Sequence, residues 1–278
     1  MTHLLQSLSE IASDYDAIVL DQWGVLHDGA TPYPHAIATL ERLSAAGTRF
    51  AVLSNSGKRS EPNAQRIEGV GFAPALFEYI MSSGEALWRD VQSKQITQTR
   101  FFPIERTPGD AQDWAHGLDI NLCELEDADA VLLMGLPDGA DLAAYCATMD
   151  AAFAKGLPVY CSNPDFQSPR PGGGLVTSPG VLAFNYAQQG GTTALYGKPH
   201  EPIFRALESA LGTSRLLMVG DSLDHDIKGA AGVGWDSLLI MGGLYTKEFA
   251  AGDAQAVLAD LIAAKAAPHP TYMIETLK

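Results

Sequence analysis

Apolar residues gather into short runs separated by stretches of helical spacing. Ile18-Val19-Leu20 is one such run, rich in β-branched residues, and predicts a buried strand of a parallel sheet over residues 17–21. Residues 48–53, 79–81, 216–219 and 237–241 repeat the pattern. Between these runs the apolar period lengthens to three and four. Ile37, Leu40 and Leu43 place a stripe on a predicted helix over 35–46, closed by Gly47. Ser60-Glu61-Pro62 opens another, with Ser60 as N-cap and Pro62 in the first turn. Residues 84–91, 201–211, 224–231 and 247–264 predict further helices. Leu4, Leu5, Leu8 and Ile11 predict one over 4–13, and Pro268 and Pro270 end the predicted order. Alternating strands and helices imply α/β architecture, a parallel sheet with right-handed crossovers.

From about residue 93 the pattern restarts, with strands at 100–102, 130–133 and 158–161 and helices at 141–155 and 181–189. The expected organisation is therefore a core domain from residues 1–92 and 191–278 and an inserted α/β domain from 93–190, with Gly190-Gly191 as the return linker.

Composition narrows the function classes. At 46% hydrophobic the 278-residue chain has enough apolar side chains for a sizeable core. A formal net charge of −15 repels nucleic acid and anionic membranes. It repels a phosphorylated substrate as well, so a phosphate site has to rely on local cations and backbone N–H groups. Cys123, Cys146 and Cys161 form no Cys-x-x-Cys pair, which fits a reducing cytoplasm. The N-terminus lacks the basic region and apolar core of a signal peptide, and no apolar run approaches the ~20 residues of a membrane span. Neither a Walker P-loop nor a strand followed by Gly-x-Gly-x-x-Gly occurs, which argues against a nicotinamide dehydrogenase.

The candidate chemistry lies at strand ends. Asp21 closes the first apolar strand, where open α/β sheets place ligands, although an Asp there serves equally to cap the next turn. A second strand ends in Gly220-Asp221, with Asp224 and Asp226 beyond it. Two strands delivering carboxylates to one sheet edge make a hard-oxygen site suited to Mg²⁺. Ser54-Asn55-Ser56 ends another strand, and Gly197-Lys198-Pro199 sets a lysine in a turn. Asp224 fits the N-cap of the following helix.

These four motifs, in this order, resemble those of the haloacid dehalogenase superfamily of phosphoryl-transfer enzymes. Cys161-Ser162-Asn163-Pro164-Asp165 and Gly197-Lys198-Pro199 resemble its class IIA, which includes phosphatases of p-nitrophenyl phosphate, pyridoxal phosphate and nucleotides. The resemblance implies a three-layer Rossmann-like core with a C2-type cap domain at 93–190. It makes Asp21 the nucleophile, with Ser54 and Lys198 as its catalytic partners. Asp21, Asp221 and the main-chain carbonyl of Trp23 become Mg²⁺ ligands, with Asp226 orienting them from behind. Asn55, Ser56, Asn163 and Asp165 become substrate-binding residues, and the Gly172-Gly173-Gly174 loop is expected to face the site with them. Homodimers paired through the cap occur in the family.

Position 23 departs from the family pattern, which has a second Asp there that protonates the leaving group and then activates water. An indole donates a hydrogen bond but exchanges no proton near neutral pH. His27 and Asp28 are the nearest titratable residues, in a segment expected to form a solvated flap. Two functions follow. One is a phosphatase of a small phosphorylated metabolite, slowed by Trp23; the other is a catalytically impaired protein that binds a phosphorylated ligand.

Overall fold

The computed structural model describes residues 2–169 and 174–278. In chain order the strands are β1 His3–Leu4, β2 Ala17–Leu20, β3 Phe50–Ser54, β4 Tyr79–Ser82, β5 Arg100–Ile104, β6 Asn121–Leu122 and β7 Ala130–Leu133. They continue with β8 Val159–Cys161, β9 Gln167–Pro169, β10 Leu175–Thr177, β11 Thr193–Leu195, β12 Leu216–Gly220, β13 Asp236–Ile240 and β14 Tyr272–Ile274. The helices are α1 Ala36–Ala45, α2 Ser60–Gly69, α3 Ser83–Gln92, α4 Asp110–Ala115, α5 Leu142–Ala154, α6 Gly180–Gln188, α7 Glu201–Leu211, α8 Lys228–Val233, α9 Thr246–Phe249 and α10 Ala254–Lys265.

Contacts divide the chain into two compact units. The first is Met1–Ser54, Ala64–Met81 and Lys198–Lys278; the second is Asn55–Asn63 and Ser82–Gly197. The first holds a sheet ordered β1-β14-β13-β12-β2-β3-β4. β2 is buried along its whole length, as its unbroken apolar run requires. It pairs in parallel with β12 on one side and β3 on the other. From β2 the chain steps outward to β3, and from β12 it steps the opposite way to β13, so the topological switch point lies between β2 and β12. α7 shows how the flanking helices form. Pro202 sits in its first turn, Ile203, Phe204, Leu207 and Leu211 are its buried residues, and Gly212 ends it in the left-handed region at φ 69°.

The second unit has its own parallel sheet, ordered β11-β8-β7-β5-β6, and an antiparallel β9–β10 hairpin. Its core includes Val131, Leu133, Val159, Leu182 and Tyr186. The unit's edges differ from the expected 92/93 and 190/191. α3 belongs with this sheet, because Trp114 of α4 is buried and its Nε1–H donates to the carbonyl of Gly84 at 2.7 Å.

Several expected elements are corrected. In place of the expected helix over 4–13 the chain forms β1 and two 3₁₀ turns, Leu8–Glu10 and Ala12–Asp14, because Ser7 and Glu10 close a capping box three residues into it. Gly252-Asp253 breaks the expected helix 247–264, with Asp253 accepting from the N–H groups of Gln255 and Ala256. Order resumes beyond Pro270, where β14 slots between β13 and β1. Among the described residues no helix is long and apolar enough to cross a membrane. Gly172 and Gly173 of the expected glycine loop lie outside the described residues.

Candidate active site

Strand register assembles the site of the first unit. Val219 of β12 pairs with Leu20 of β2, and Leu20 with Val52 of β3, so Asp21, Ser54 and Asp221 all leave the carboxyl edge of one sheet. Asp21 extends the ladder by donating its N–H to the carbonyl of Val219 at 2.9 Å.

Lys198 reaches this edge from the turn before α7, and its side chain is only 4% exposed. Its Nζ donates to Asp21 Oδ1 at 2.5 Å and to Asp226 Oδ1 at 2.8 Å. Asp226 Oδ2 accepts the Ser222 N–H at 3.1 Å, and Asp221 Oδ2 accepts the Leu244 N–H at 2.9 Å. The residue that caps the following wide π turn, Leu223–Ile227, is Ser222, whose Oγ accepts the His225 N–H. This corrects the expected Asp224 N-cap, since Asp224 pairs with Lys265 of α10. Glycine lets the backbone come close here. Gly24 sits at φ 77°, and a Cβ on it would stand 1.7 Å from Asp221 Oδ2.

Asp21, Asp221 and Asp226 carry ligand oxygens within 4.8 Å of one another. Burial pushes the Asp21 carboxyl up to about 6, against the pull of Lys198 and with a further push from Asp226. Burial first, then Asp21 and Asp226, raises Asp221 well above the usual carboxylate range. Burial works against the Lys198 ammonium, yet Asp21 and Asp226 hold its pKa above the ordinary lysine value. Three acids facing one ammonium leave excess negative charge in a low-dielectric place. A divalent cation with a taste for carboxylate oxygen fits that donor set.

Trp23 is half-buried. Its ring lies edge-on to His27, with centroids 5.7 Å apart, and Arg66 of α2 stands 5.5 Å from its centroid. A Cβ on Gly29, which has φ 98°, would stand 2.0 Å from the ring. The indole therefore closes down on the backbone of its own loop. His27 is fully buried, which corrects the expected solvated flap residue. Its Nδ1 accepts the Gly29 N–H at 3.0 Å, while Nε2 and the nearby Gln22 Nε2 have no hydrogen-bond partner among the described residues. Burial lowers the His27 pKa to about 4, keeping the ring neutral. Asp28 is exposed and accepts the N–H groups of Ala30 and Thr31, which hold it ionised as a turn residue.

The other singled-out residues belong to the second unit. Asn55 Nδ2 donates to Asp165 Oδ1 at 2.7 Å, and the Asp165 N–H donates to Asn163 Oδ1 at 3.3 Å. Ser56 accepts the Lys58 N–H on Oγ and the Gly84 N–H on its carbonyl. Sequence reasoning missed Leu244, Gly24 and Arg66. The Gly242-Gly243 pair closing β13 was the available signal for the first.

A parallel sheet with its switch point beside a buried carboxylate–lysine centre defines a doubly wound α/β core with a candidate site at its carboxyl edge. A family profile described as haloacid dehalogenase-like hydrolase matches residues 18–110, and one described as HAD-hydrolase-like matches 195–278. A crystal structure of a haloacid dehalogenase-like family hydrolase from Brucella suis 1330 superposes with TM-score 0.79 at 30% identity, covering 99% of this chain and 100% of that one. Glycerol-3-phosphate phosphatase of Gallus gallus is 26% identical over 266 residues, 86% of this chain and 83% of its own. Chronophin of Bos taurus is 26% identical over 288 residues, 98% and 94% respectively. The chain belongs to the haloacid dehalogenase-like hydrolases, in their class IIA branch.

Proposed function

We propose that this chain is a Mg²⁺-dependent phosphatase of a small phosphorylated metabolite, working through an aspartyl-phosphate on Asp21. The observation that carries the reading is the buried Lys198, bonded to Asp21 and Asp226 together beside Asp221. The names of relatives that are phosphatases support the same class. Asp21, Asp221 and the carbonyl of Trp23 would hold the ion, which when bound supplies charge neutralisation for the phosphoryl oxygens.

In the first step an Asp21 carboxylate oxygen attacks phosphorus, forming an acyl–phosphate bond as the ester P–O bond breaks. The leaving oxygen takes a proton from solvent. Lys198 keeps Asp21 oriented and offsets its charge, and Ser54 donates its hydroxyl to a phosphoryl oxygen. Water then attacks phosphorus and gives up a proton to solvent, the Asp21–phosphorus bond breaks, and phosphate leaves with the carboxylate restored. The second unit, with Asn163, is the proposed selector of the rest of the substrate. Three unpaired thiols fit the cytoplasm as its setting.

Trp23 favours a second reading, a protein that binds a phosphorylated ligand and turns it over poorly. Phosphate release across a panel of phosphorylated metabolites decides between them. The phosphatase reading expects Mg²⁺-dependent release that Asp21→Asn abolishes; release untouched by Asp21→Asn removes the aspartyl-phosphate.

A further inference from the structure

The turn at 162–165 is where the second unit grips the two chain segments adjoining Ser54 and Lys198. The turn is fixed from behind. The carbonyl of Asp165 accepts the N–H of Gly180 at the start of α6, at 3.1 Å. A Cβ on Gly180 would stand 2.0 Å from the carbonyl oxygen of Pro164. In front it meets both segments. A Cβ on Gly57 would stand 3.1 Å from Ser162 Oγ, and one on Gly197 would stand 2.3 Å from Pro164 Cδ and 2.8 Å from Asn55 Oδ1. Asp165 completes the grip through its 2.7 Å bond from Asn55 Nδ2. All of these residues lie in the second unit. The Asn55 amide thus has its nitrogen on Asp165 and its oxygen turned to the Gly197 backbone.

We propose that Asp165 is a positioning residue: it holds Asn55, the residue covalently next to Ser54, and so sets the backbone that receives the phosphoryl group. The proposal rests on the phosphatase reading for its kinetic consequences, but the grip itself does not. It gives Asp165 a different job from touching substrate. A substrate contact discriminates between esters, whereas a positioning residue affects every ester alike, since all share the phosphoryl end. Misplacing a reacting group by about 1 Å costs on the order of a hundredfold in rate.

The test uses the full chain with p-nitrophenyl phosphate and a bulkier phosphate ester, comparing Asp165→Ala, Asn55→Ala, the double variant and Asp165→Asn. Asp165→Ala and Asn55→Ala are each expected to lower kcat about ten- to a hundredfold with KM within about threefold, equally for both esters. The double variant should fall no more than about threefold below the lower single. Asp165→Asn, which keeps an acceptor oxygen for Asn55, should recover at least about tenfold over Asp165→Ala. A rise in KM that differs between esters, multiplying single effects, or no rescue by Asn overturns the proposal. Amide hydrogen exchange over residues 54–57 is read in parallel and needs no activity. Faster exchange in Asp165→Ala than in wild type supports the grip even if wild type releases no phosphate, an outcome that would sink only the phosphatase reading. Unchanged exchange overturns the grip itself.

Discussion

An indole at position 23 removes a proton carrier and installs a lid over its own loop, pressed on Gly29 and edged by His27. On the proposed mechanism, Asp21 would attack phosphate without help from position 23. The aspartyl-phosphate should then hydrolyse slowly, giving a burst of p-nitrophenol followed by slow turnover in rapid-mixing experiments. Trp23→Asp should raise the steady-state rate, short of the ~10²–10⁴ of full acid–base catalysis, and lower stability by about 1–3 kcal/mol for the packing lost. Fast turnover of sugar phosphates by wild type without a burst would show another proton source. Asp21 supplies a pH test. Its pKa is raised from 3.8 to about 6 in the folded state, so the metal-free fold binds the extra proton between those values. That contribution to stability is full below 3.8 and is lost as pH rises through 6. Mg²⁺ competes with the proton, so the thermal shift on adding Mg²⁺ should be larger at about pH 7.5 than at about pH 5. Equal shifts would mean that Asp21 is not a ligand. That Asp21, Lys198, Asp221 and Asp226 would come together was legible because their motifs announce them. The fate of His27 was not, since nothing local says that an imidazole beside Asp28 will be sealed under a tryptophan.

Among the elements, the strand ends govern the site, and their turns tolerate little. Gly24→Ala should push the Asp221 carboxylate aside, both because of the 1.7 Å approach and because φ 77° strains an alanine. The expected result is about 1–3 kcal/mol of lost stability in denaturant melts, with a higher Mg²⁺ concentration for half-maximal activity. Unchanged metal dependence would show that Asp221 holds no ion. The central strands were readable because their apolar runs are continuous and buried on both faces. β14 was not, because three residues after two prolines carry no period, and its place depends on partners β1 and β13 far away in sequence. The expected N-terminal helix failed for a local reason that was on view: Leu4, Leu5, Leu8 and Ile11 have helical spacing, but the Ser7–Glu10 capping box starts a new turn inside it.

For the whole molecule, a charge of −15 sets a repulsive field that an anionic substrate has to cross. Salt screens that field over a Debye length of about 10 Å at 0.1 M, while the buried Lys198 contacts are screened far less. KM for a dianionic ester should therefore fall, by about two- to threefold, as ionic strength rises from about 0.02 to 0.3 M. A KM that climbs with salt would point instead to exposed cations doing the binding. The restart of the pattern near residue 93 disclosed a second unit, but not that Asn55–Asn63 and α3 would join it, since such membership is decided by packing across distant segments. The chain crosses between its units at 54/55, 63/64, 81/82 and 197/198. Any single stretch of gene that encodes the whole second unit also encodes Ala64–Met81, and with it nearly all of β4 of the first sheet. Recombination that moved this unit between relatives as a cassette would tear out an edge strand with it. A substitution confined to the second unit would instead leave that edge strand in place.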